Sequence, residues 1–236
     1  MAESSFFPIE MRNTDRFAFD LGHLLDAPAG KRGFMEARDD GHFYFEDGTR
    51  ARFWGTNLAH DRAAFGTHEL SDAVADKLAS VGCNMIRFHA LDWPTTPGAD
   101  EETFLAGPIF DERYEDTRHL SEAKLERLDY MIHALRQRGI YIYMDLLDYR
   151  QFTAADGVLA AEGLNWAAKP ACLYNPHLIE LQKEYATQLL THYNTYTGLR
   201  YMDDPAICAV EITNENSLFW EQALHLPQPY VDELQK

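Results

Sequence analysis

The residues that could take part in catalysis lie where apolar runs end. The stretch ICAVEITNENSLFW begins as a buried strand and ends at Asn214 and Glu215. A carboxyl group at the end of that strand, partly enclosed by aromatic side chains, would stay protonated near neutral pH and could donate a proton to a leaving oxygen. The simpler alternative is that the two residues start a polar loop, and the Asn-Glu pair taken alone favours that alternative.

An earlier strand supplies a possible partner for this carboxyl group. In the stretch MIRFHALDW, Arg87 and His89 are two residues apart and so share one face of a strand. An inward-facing arginine is the natural partner of inward carboxylates such as Glu211 or Glu215, because buried charges need partners. The same alternation predicts that Asn214 faces the opposite side from Glu211 and Glu215.

The elements that must position these residues alternate between strand and helix. Apolar residues recur at helical spacing in residues 67–82, 121–139 and 175–194, with N-cap residues at Ser121 and Asn175. Strands are predicted around these helices, at RFWGTNL, NMIRFH, IYIYMDLL and ICAVEIT. Such alternation predicts parallel strands joined by right-handed crossovers, so the fold class is α/β.

The regions outside this alternation also have a predicted role. Two Asp-Gly turns, Asp40-Gly41 and Asp47-Gly48, predict β-hairpins in the first third of the chain. Two long connections follow strands, from about residue 90 to 120 and from about residue 147 to 174. Structureless loops of this length are usually functional, and both would lie at the carboxyl ends of the sheet, where α/β folds bind ligands.

Composition argues against several classes of function. The 236 residues carry a formal net charge of -17, which repels phosphate backbones and anionic membrane surfaces, so nucleic acid is not an expected partner. The three cysteines lack the spacing of a zinc knuckle. The sequence has no apolar run of about 18 residues and no signal-peptide pattern, which predicts no membrane segment and a cytoplasmic location if the chain is complete.

Four strand signatures, in order, resemble those of the clan-A glycoside hydrolases, in particular the family 5 cellulase-like enzymes with a (β/α)8 TIM-barrel fold. RFWGTNL, which follows the hairpin FYFEDGTRARFWG, is similar to their first strand, and IRFHALDW to the second strand with its arginine. GIYIYMDL resembles the third strand, and AVEITNEN the fourth, which ends in an Asn-Glu pair. The resemblance covers about residues 43–216, and the order of four signatures is more specific than any one of them.

The resemblance implies a role for each matching residue. Glu215 would be the general acid/base, Asn214 would hydrogen-bond the sugar hydroxyl next to the reacting carbon, and Arg87 would orient the carboxylates. The chain departs from the family at Asn216, where proline usually follows, and at Leu147, where many relatives have histidine. Flat aromatic faces suit a pyranose ring, and polar groups near the strand ends could bind its hydroxyls. These further candidates for substrate binding are Asn57, His60, His89, Trp93, Tyr149 and Trp166.

The predicted strands amount to about half of such a barrel. A complete (β/α)8 barrel takes about 250 residues, whereas here the fourth strand ends near Thr213. Retaining hydrolysis needs two carboxylates about 5 to 5.5 Å apart. By resemblance the nucleophile comes from a seventh strand, and neither Glu211 nor Glu221 is a convincing replacement. The first and fourth strands would be open edges with an uncovered apolar inner face.

The fold expectation is therefore a half-barrel of about four parallel strands in a single domain, residues 1–236, whose first 50 residues form a hairpin region. A gene fragment, closure by a homodimer or higher oligomer, and a different closure all stay open. The leading functional hypothesis is a retaining glycoside hydrolase acting on β-linked glycans, without cofactor; the alternative is a non-catalytic carbohydrate-binding half-barrel. No metal site is expected, because the histidines, His89 included, show no compact ligand spacing.

Overall fold

The structure, a computed structural model, describes residues 20–59, 64–94 and 104–236. In these ranges the strands form a four-stranded sheet and two separate two-stranded sheets. In chain order the strands are β1 (Met35–Ala37), β2 (Phe43–Phe45), β3 (Gly55–Ala59), β4 (Met85–His89), β5 (Tyr141–Leu147), β6 (Tyr193–Asn194), β7 (Leu199–Arg200) and β8 (Ile207–Thr213).

The four-stranded sheet is parallel throughout and has the order β3-β4-β5-β8. Its register places Asn57 beside Arg87 and Arg87 beside Tyr143, so one row of polar side chains crosses three strands. Parallel neighbours that follow one another along the chain need crossover connections, as the alternation of elements predicted. The predicted α/β class is confirmed, and the sheet with its helices corresponds to part of a (β/α) barrel.

Helices connect and cover these strands. They are α1 (His68–Ser80), α2 (Glu122–Gln137), α3 (Ala161–Leu164), α4 (Ala168–Ala171), α5 (Pro176–Thr191) and α6 (Gln228–Leu234). The N-cap residues of the three long helices are Thr67, Ser121 and Asn175. The side chain of each accepts a hydrogen bond from the backbone N–H three residues further on. Each such cap is worth about 1 kcal/mol. In the ranges described, none of the helices is both long and apolar enough to cross a membrane.

The apolar core lies between the helices and one face of the sheet. Ile86 and Phe88 of β4 and Met144 of β5 are fully buried, and so are Leu128 and Ile132 of α2. Residues at alternate positions of a strand share a face, which is why these strand residues and the apolar stripe of α2 meet. Fully burying one such side chain contributes about 1.5 to 3 kcal/mol.

The opposite face of the sheet is polar, so the expectation of an apolar inner face was wrong. Arg87, Tyr143 and Glu211 occupy this face, where hydrogen bonds join them. Exposed apolar side chains lie on the other face of β8, where Val210 is 41% and Ile212 is 74% exposed. β3 and β8 are the edge strands of the sheet, as predicted.

The hairpin region packs onto the start of the sheet. β1 and β2 pair antiparallel around the Asp40-Gly41 turn, and at the second predicted turn the N–H of Phe45 donates to the carbonyl of Thr49 at 2.9 Å. The ring of Phe45 stacks on that of Tyr141 with centroids 5.1 Å apart. Both predicted Asp-Gly turns are confirmed.

The connection after β5 is ordered into short helices, so the expectation of a structureless loop there was wrong. It holds α3, α4 and two single 3-10 turns, Ala154–Asp156 and Asn165–Ala167. A second apolar cluster, which includes Phe152, Leu164 and Tyr230, fixes them beneath α6. Helices of one turn are too short to show the 3.6-residue periodicity on which sequence analysis depends. The small β6-β7 hairpin was missed because strands of two residues are too short to show the two-residue alternation.

Two glycines with left-handed backbone allow a matched test of packing. Gly139 has φ 79, and a Cβ built there would lie 2.9 Å from the backbone nitrogen of Ala27. Gly41 has φ 78, but a Cβ there would meet nothing within 4 Å. Both glycine-to-alanine changes carry the backbone cost of about 1 to 2 kcal/mol, and only Gly139→Ala adds a backbone clash. We therefore expect Gly139→Ala to lower the free energy of unfolding by at least about 1 kcal/mol more than Gly41→Ala.

Urea unfolding followed by circular dichroism measures both changes. Equal losses in the two variants would show that the contact of Gly139 with Ala27 contributes nothing.

Candidate active site

Arg87 is the centre of the polar face and holds three neighbours. Its Nε donates to Oδ1 of Asp145 at 3.0 Å, and its Nη2 donates to Oε2 of Glu211 at 2.8 Å and to Oδ1 of Asn214 at 2.9 Å. These charge-assisted bonds join the carboxyl ends of β4, β5 and β8. The predicted pairing of Arg87 with Glu211 is present. Asp145 was missed, although a lone charge in the apolar run IYIYMDLL was the available signal.

Two buried aspartates face His89 beside this arginine. His89 Nδ1 lies 2.8 Å from Oδ2 of Asp145 and 3.4 Å from Oδ1 of Asp148, and both aspartates are 1% exposed. Burial raises the pKa of Asp145 to about 7, although the charge of Arg87 opposes the shift. Burial also raises the pKa of Asp148 to about 7, and the negative charges of Asp92 and Asp145 add to it. The two carboxyl groups therefore hold protons close to neutral pH.

The same three residues form a group that could hold a metal. Among the described residues, ligand atoms of His89, Asp145 and Asp148 lie within 4.8 Å of one another. Imidazole and carboxylate are ordinary ligands of divalent cations. Both oxygens of Asp145, however, already accept hydrogen bonds, from Arg87 and from His89, and the guanidinium would repel a cation. The arrangement fits shared protons better than a metal ion.

Asp92 fixes the chain where it leaves β5. Its two carboxylate oxygens accept the backbone N–H groups of Asp148, Tyr149 and Arg150, each at 2.9 Å. In return, the N–H of Ala90 donates to Oδ2 of Asp148 at 2.7 Å. The segments that follow β4 and β5 are therefore tied to each other, and this tie sets the direction of Asp148 and Tyr149. Asp92 is therefore a structural residue at the carboxyl end of the sheet.

The structure brings together the three aromatic residues that the sequence singled out. Tyr149 is the middle ring, with its centroid 4.8 Å from that of Trp93 and 5.2 Å from that of Trp166. The rings of Trp93 and Trp166 are 5.7 Å apart. His89 contacts this aromatic cluster through Tyr149, at 6.0 Å. All four residues lie at the carboxyl end of the sheet, and their role in binding a sugar stays a prediction.

The chain bends sharply at the Asn-Glu pair. β8 ends at Thr213, and Glu215 has a left-handed backbone with φ 52, a strain of about 1 to 3 kcal/mol that proteins tend to place at functional sites. Asn214 and Glu211 both bond Arg87 Nη2, so the prediction that they face opposite sides was wrong. Strict alternation ends where the strand ends.

The surroundings of Glu215 also differ from expectation. Asn214 is 5% exposed, whereas Glu215 is an exposed residue of the described structure. The expected enclosure by aromatic side chains is not seen, because β8 is an edge strand with a neighbour on one side only. Asn57 is exposed on β3 next to Arg87 in the register. His60 lies outside the described residues.

Replacement of Arg87 by lysine tests the bridging role. A single ammonium group keeps the charge but cannot span Asp145, Glu211 and Asn214 as the guanidinium does. We expect Arg87→Lys to lower the free energy of unfolding by about 2 to 3 kcal/mol, because buried polar partners lose hydrogen bonds. Urea unfolding measures the change.

The control is Arg200→Lys, which alters an exposed ion pair with Asp203 whose side chains are 48% and 41% exposed. Its expected effect is below about 1 kcal/mol. If Arg87→Lys cost no more than this control, the bridge would not hold the strand ends.

Asp148 gives a prediction about pH. Its carboxyl pKa of about 7 in the folded protein exceeds the ordinary value of 3.8. The folded state therefore binds the proton more tightly, and the resulting stabilisation is complete below about pH 4 and is lost as the pH rises through about 7. Asp148→Asn keeps an acceptor for Ala90 and cannot ionise. We expect the melting temperature of the variant minus that of wild type to be several degrees larger at about pH 8 than at about pH 5.

Thermal unfolding at the two pH values measures this difference, in which the titration of other groups largely cancels. A variant whose offset from wild type is the same at both values would contradict the assignment to Asp148.

The chain resembles known proteins over most of its length. No family model matches the chain. It is 27% identical over 199 residues to mannan endo-1,4-beta-mannosidase 1 of Oryza sativa subsp. japonica, over 80% of this chain and 42% of that protein. It is 22% identical over 213 residues to mannan endo-1,4-beta-mannosidase 2 of Arabidopsis thaliana, over 86% of this chain and 44% of that protein. The chain thus spans less than half the length of these curated relatives.

Solved structures show the same fold. The endo-1,4-beta-mannanase from Rhizomucor miehei superposes with a TM-score of 0.55 at 21% identity, over 78% of this chain and 48% of that one. A second structure, described as a glycoside hydrolase family 5 mannosidase from the same organism, gives 0.55 at 19% identity. The resemblance to the clan-A, family 5 glycoside hydrolases is confirmed, and the chain is a homologue of mannan endo-1,4-β-mannosidases with the fold of part of the family 5 barrel.

Proposed function

We propose that this chain supplies part of the active site of a glycoside hydrolase that cleaves β-1,4-linked mannan, with Glu215 as the general acid and then the general base. The observation that carries the proposal is the bridge from Arg87 to Glu211 and Asn214, which fixes the Asn-Glu pair at the carboxyl end of a parallel sheet. Barrel enzymes place their active sites at this end. The substrate class comes from the names of the curated relatives.

Asn214 is positioned to bind a sugar hydroxyl. Its Oδ1 accepts from Arg87, which leaves Nδ2 as the donor end of the amide. This Nδ2 is buried and, within the described part of the chain, has no hydrogen-bond partner. Buried amide donors without partners are rare in folded proteins. A hydroxyl oxygen of a bound sugar would satisfy the group.

The proposed mechanism retains configuration. Glu215 protonates the glycosidic oxygen while a second carboxylate attacks the anomeric carbon, and the ionised Glu215 then takes a proton from the water that releases the glycosyl group. Glu211 is poorly suited to be the nucleophile, because its Oε2 accepts from both Arg87 and Tyr143 at 2.8 Å. We assign the nucleophile to a further strand outside these four, supplied by more polypeptide or by a second copy of the chain.

The remaining predicted residues would shape the substrate site. Trp93, Tyr149 and Trp166 would stack on sugar rings, since aromatic faces suit the apolar face of a pyranose. Asn57, His60 and His89 would contact sugar hydroxyls. We also propose that the hairpin region and the barrel part form one domain, which the stacking of Phe45 on Tyr141 supports.

One observation favours a second candidate function. Glu215 is exposed, and Glu211, the glutamate of the strand that leads to it, is held by Arg87 and Tyr143. A protein with the aromatic cluster but without an available nucleophile would bind β-mannan without cleaving it.

The Glu215→Gln variant separates the two functions. We expect wild type, together with the polypeptide or second copy that supplies the nucleophile, to release reducing ends from β-1,4-mannan, and the variant to lose about 100- to 10,000-fold of that rate, the usual contribution of a general acid. Binding of mannopentaose, measured by titration calorimetry, should survive because the amide keeps the shape of the side chain. Glu221→Gln, a neighbouring exposed glutamate, is the control and should keep full activity.

The outcomes are distinct. Binding without hydrolysis by wild type, even when the polypeptide or second copy that would supply the nucleophile is present, would select the binding function for this chain, and equal activity of wild type and Glu215→Gln would remove Glu215 from the mechanism. Absence of both binding and hydrolysis would overturn the proposed function.

A further inference from the structure

Lys169, in α4, is a buried cation without a hydrogen-bond acceptor. The residue is 3% exposed, and its Nζ has no hydrogen-bond partner among the described residues. An ammonium group carries three donors and is almost never fully buried unless paired. An unpaired cation at the edge of a candidate active site therefore calls for a partner.

Two aromatic rings hold the ammonium in place. Nζ lies 4.2 Å from the ring centroid of Tyr149 and 4.8 Å from that of Trp220. Aromatic faces attract a cation, but they accept no conventional hydrogen bond, so the three donors stay unsatisfied. Tyr149 also belongs to the aromatic cluster, which places the ammonium beside the proposed sugar site.

Lys169 is also tied to the segment that carries Glu215. Its backbone carbonyl accepts a hydrogen bond from Nδ2 of Asn216 at 3.0 Å. Burial lowers the pKa of the Lys169 ammonium. The negative charges of Asp148 and Glu215 oppose that shift. The ammonium thus contacts the aromatic cluster through Tyr149, and the backbone of Lys169 is bonded to the residue that follows the Asn-Glu pair.

Arg150 shows how the same fold treats a structural buried cation. Arg150 is also 3% exposed, yet each of its guanidinium nitrogens donates to an oxygen. Nε donates to Oγ1 of Thr117 at 2.8 Å, Nη1 to the carbonyl of Leu181 at 3.0 Å, and Nη2 to the carbonyl of Thr117 at 2.9 Å. Lys169 has no such set, which separates it from cations whose role is confined to the fold.

We propose that Lys169, walled by Tyr149 and Trp220, forms a binding subsite that donates hydrogen bonds to hydroxyl oxygens of a neutral sugar next to Glu215. This inference rests on the proposed function and adds a specificity residue to it. A neutral ligand is favoured over an anionic one, because the carboxylate of the exposed Glu215 would repel a second negative charge near the ammonium. Sugar hydroxyls accept hydrogen bonds without bringing a charge.

Lys169→Met tests the subsite, because the flexible thioether packs well between aromatic rings but donates no hydrogen bond. We expect mannopentaose to bind about ten- to a hundredfold more weakly, the usual loss for a hydrogen bond to a charged group. In the ligand-free protein, loss of an unpaired buried charge should leave the melting temperature unchanged or raise it by about 2 to 4 °C. Lys169→Gln keeps one amide donor and should bind with intermediate affinity.

Lys183→Met is the matched control, since Lys183 is 66% exposed on α5, and it should change neither affinity nor melting temperature. Wild-type affinity in Lys169→Met would overturn the subsite and leave the proposed function in place. No binding of mannopentaose by wild type would overturn both. Melting temperatures that fall by more than about 5 °C in both Lys169 variants would identify Lys169 as a structural residue and overturn the subsite. Tighter binding of a mannuronate oligomer than of mannopentaose would overturn the choice of a neutral ligand.

Discussion

The arrangement of the polar face depends on one guanidinium group that must satisfy several acceptors at once. Arg87 meets Asp145 on β5, Glu211 on β8 and Asn214 just after β8, so it holds the ends of strands that are far apart in sequence. A planar fork of donors can do this, whereas a point charge cannot. The position of Asn214, and through it the bend at Glu215, follows from this constraint.

Around that group, the protein keeps more carboxylates than it has cations to pair them. The carboxylate of Asp92 accepts hydrogen bonds from backbone N–H groups. Asp145 and Asp148 both lie beside His89, and burial raises the pKa of each carboxyl group to about 7. Such clusters are characteristic of functional sites, because a structural core would gain more from apolar side chains of the same volume. Charge, and not apolar packing, therefore organises the inner face.

The partial barrel explains why the helix-covered face of the sheet is buried at β4 and exposed at the edge strand β8. The helix-covered face buries Ile86 and Phe88 completely, but at the edge strand β8 the same face leaves Val210 and Ile212 exposed. An edge strand with exposed apolar residues is a surface that other polypeptide can cover. The relatives are more than twice as long as the stretch that they share with this chain.

Local patterns in the sequence were enough to predict the order of strands and helices, the capping residues Ser121 and Asn175, both Asp-Gly turns and the meeting of Arg87 with Glu211. They do so because periodicity and capping act over a few residues and parallel strands align their carboxyl ends. Only the tertiary structure decided the direction of Asn214, the partners of Asp145 and the burial of Lys169. Each of these depends on contacts between segments that are tens of residues apart, and on a bend at which the alternation of a strand no longer applies.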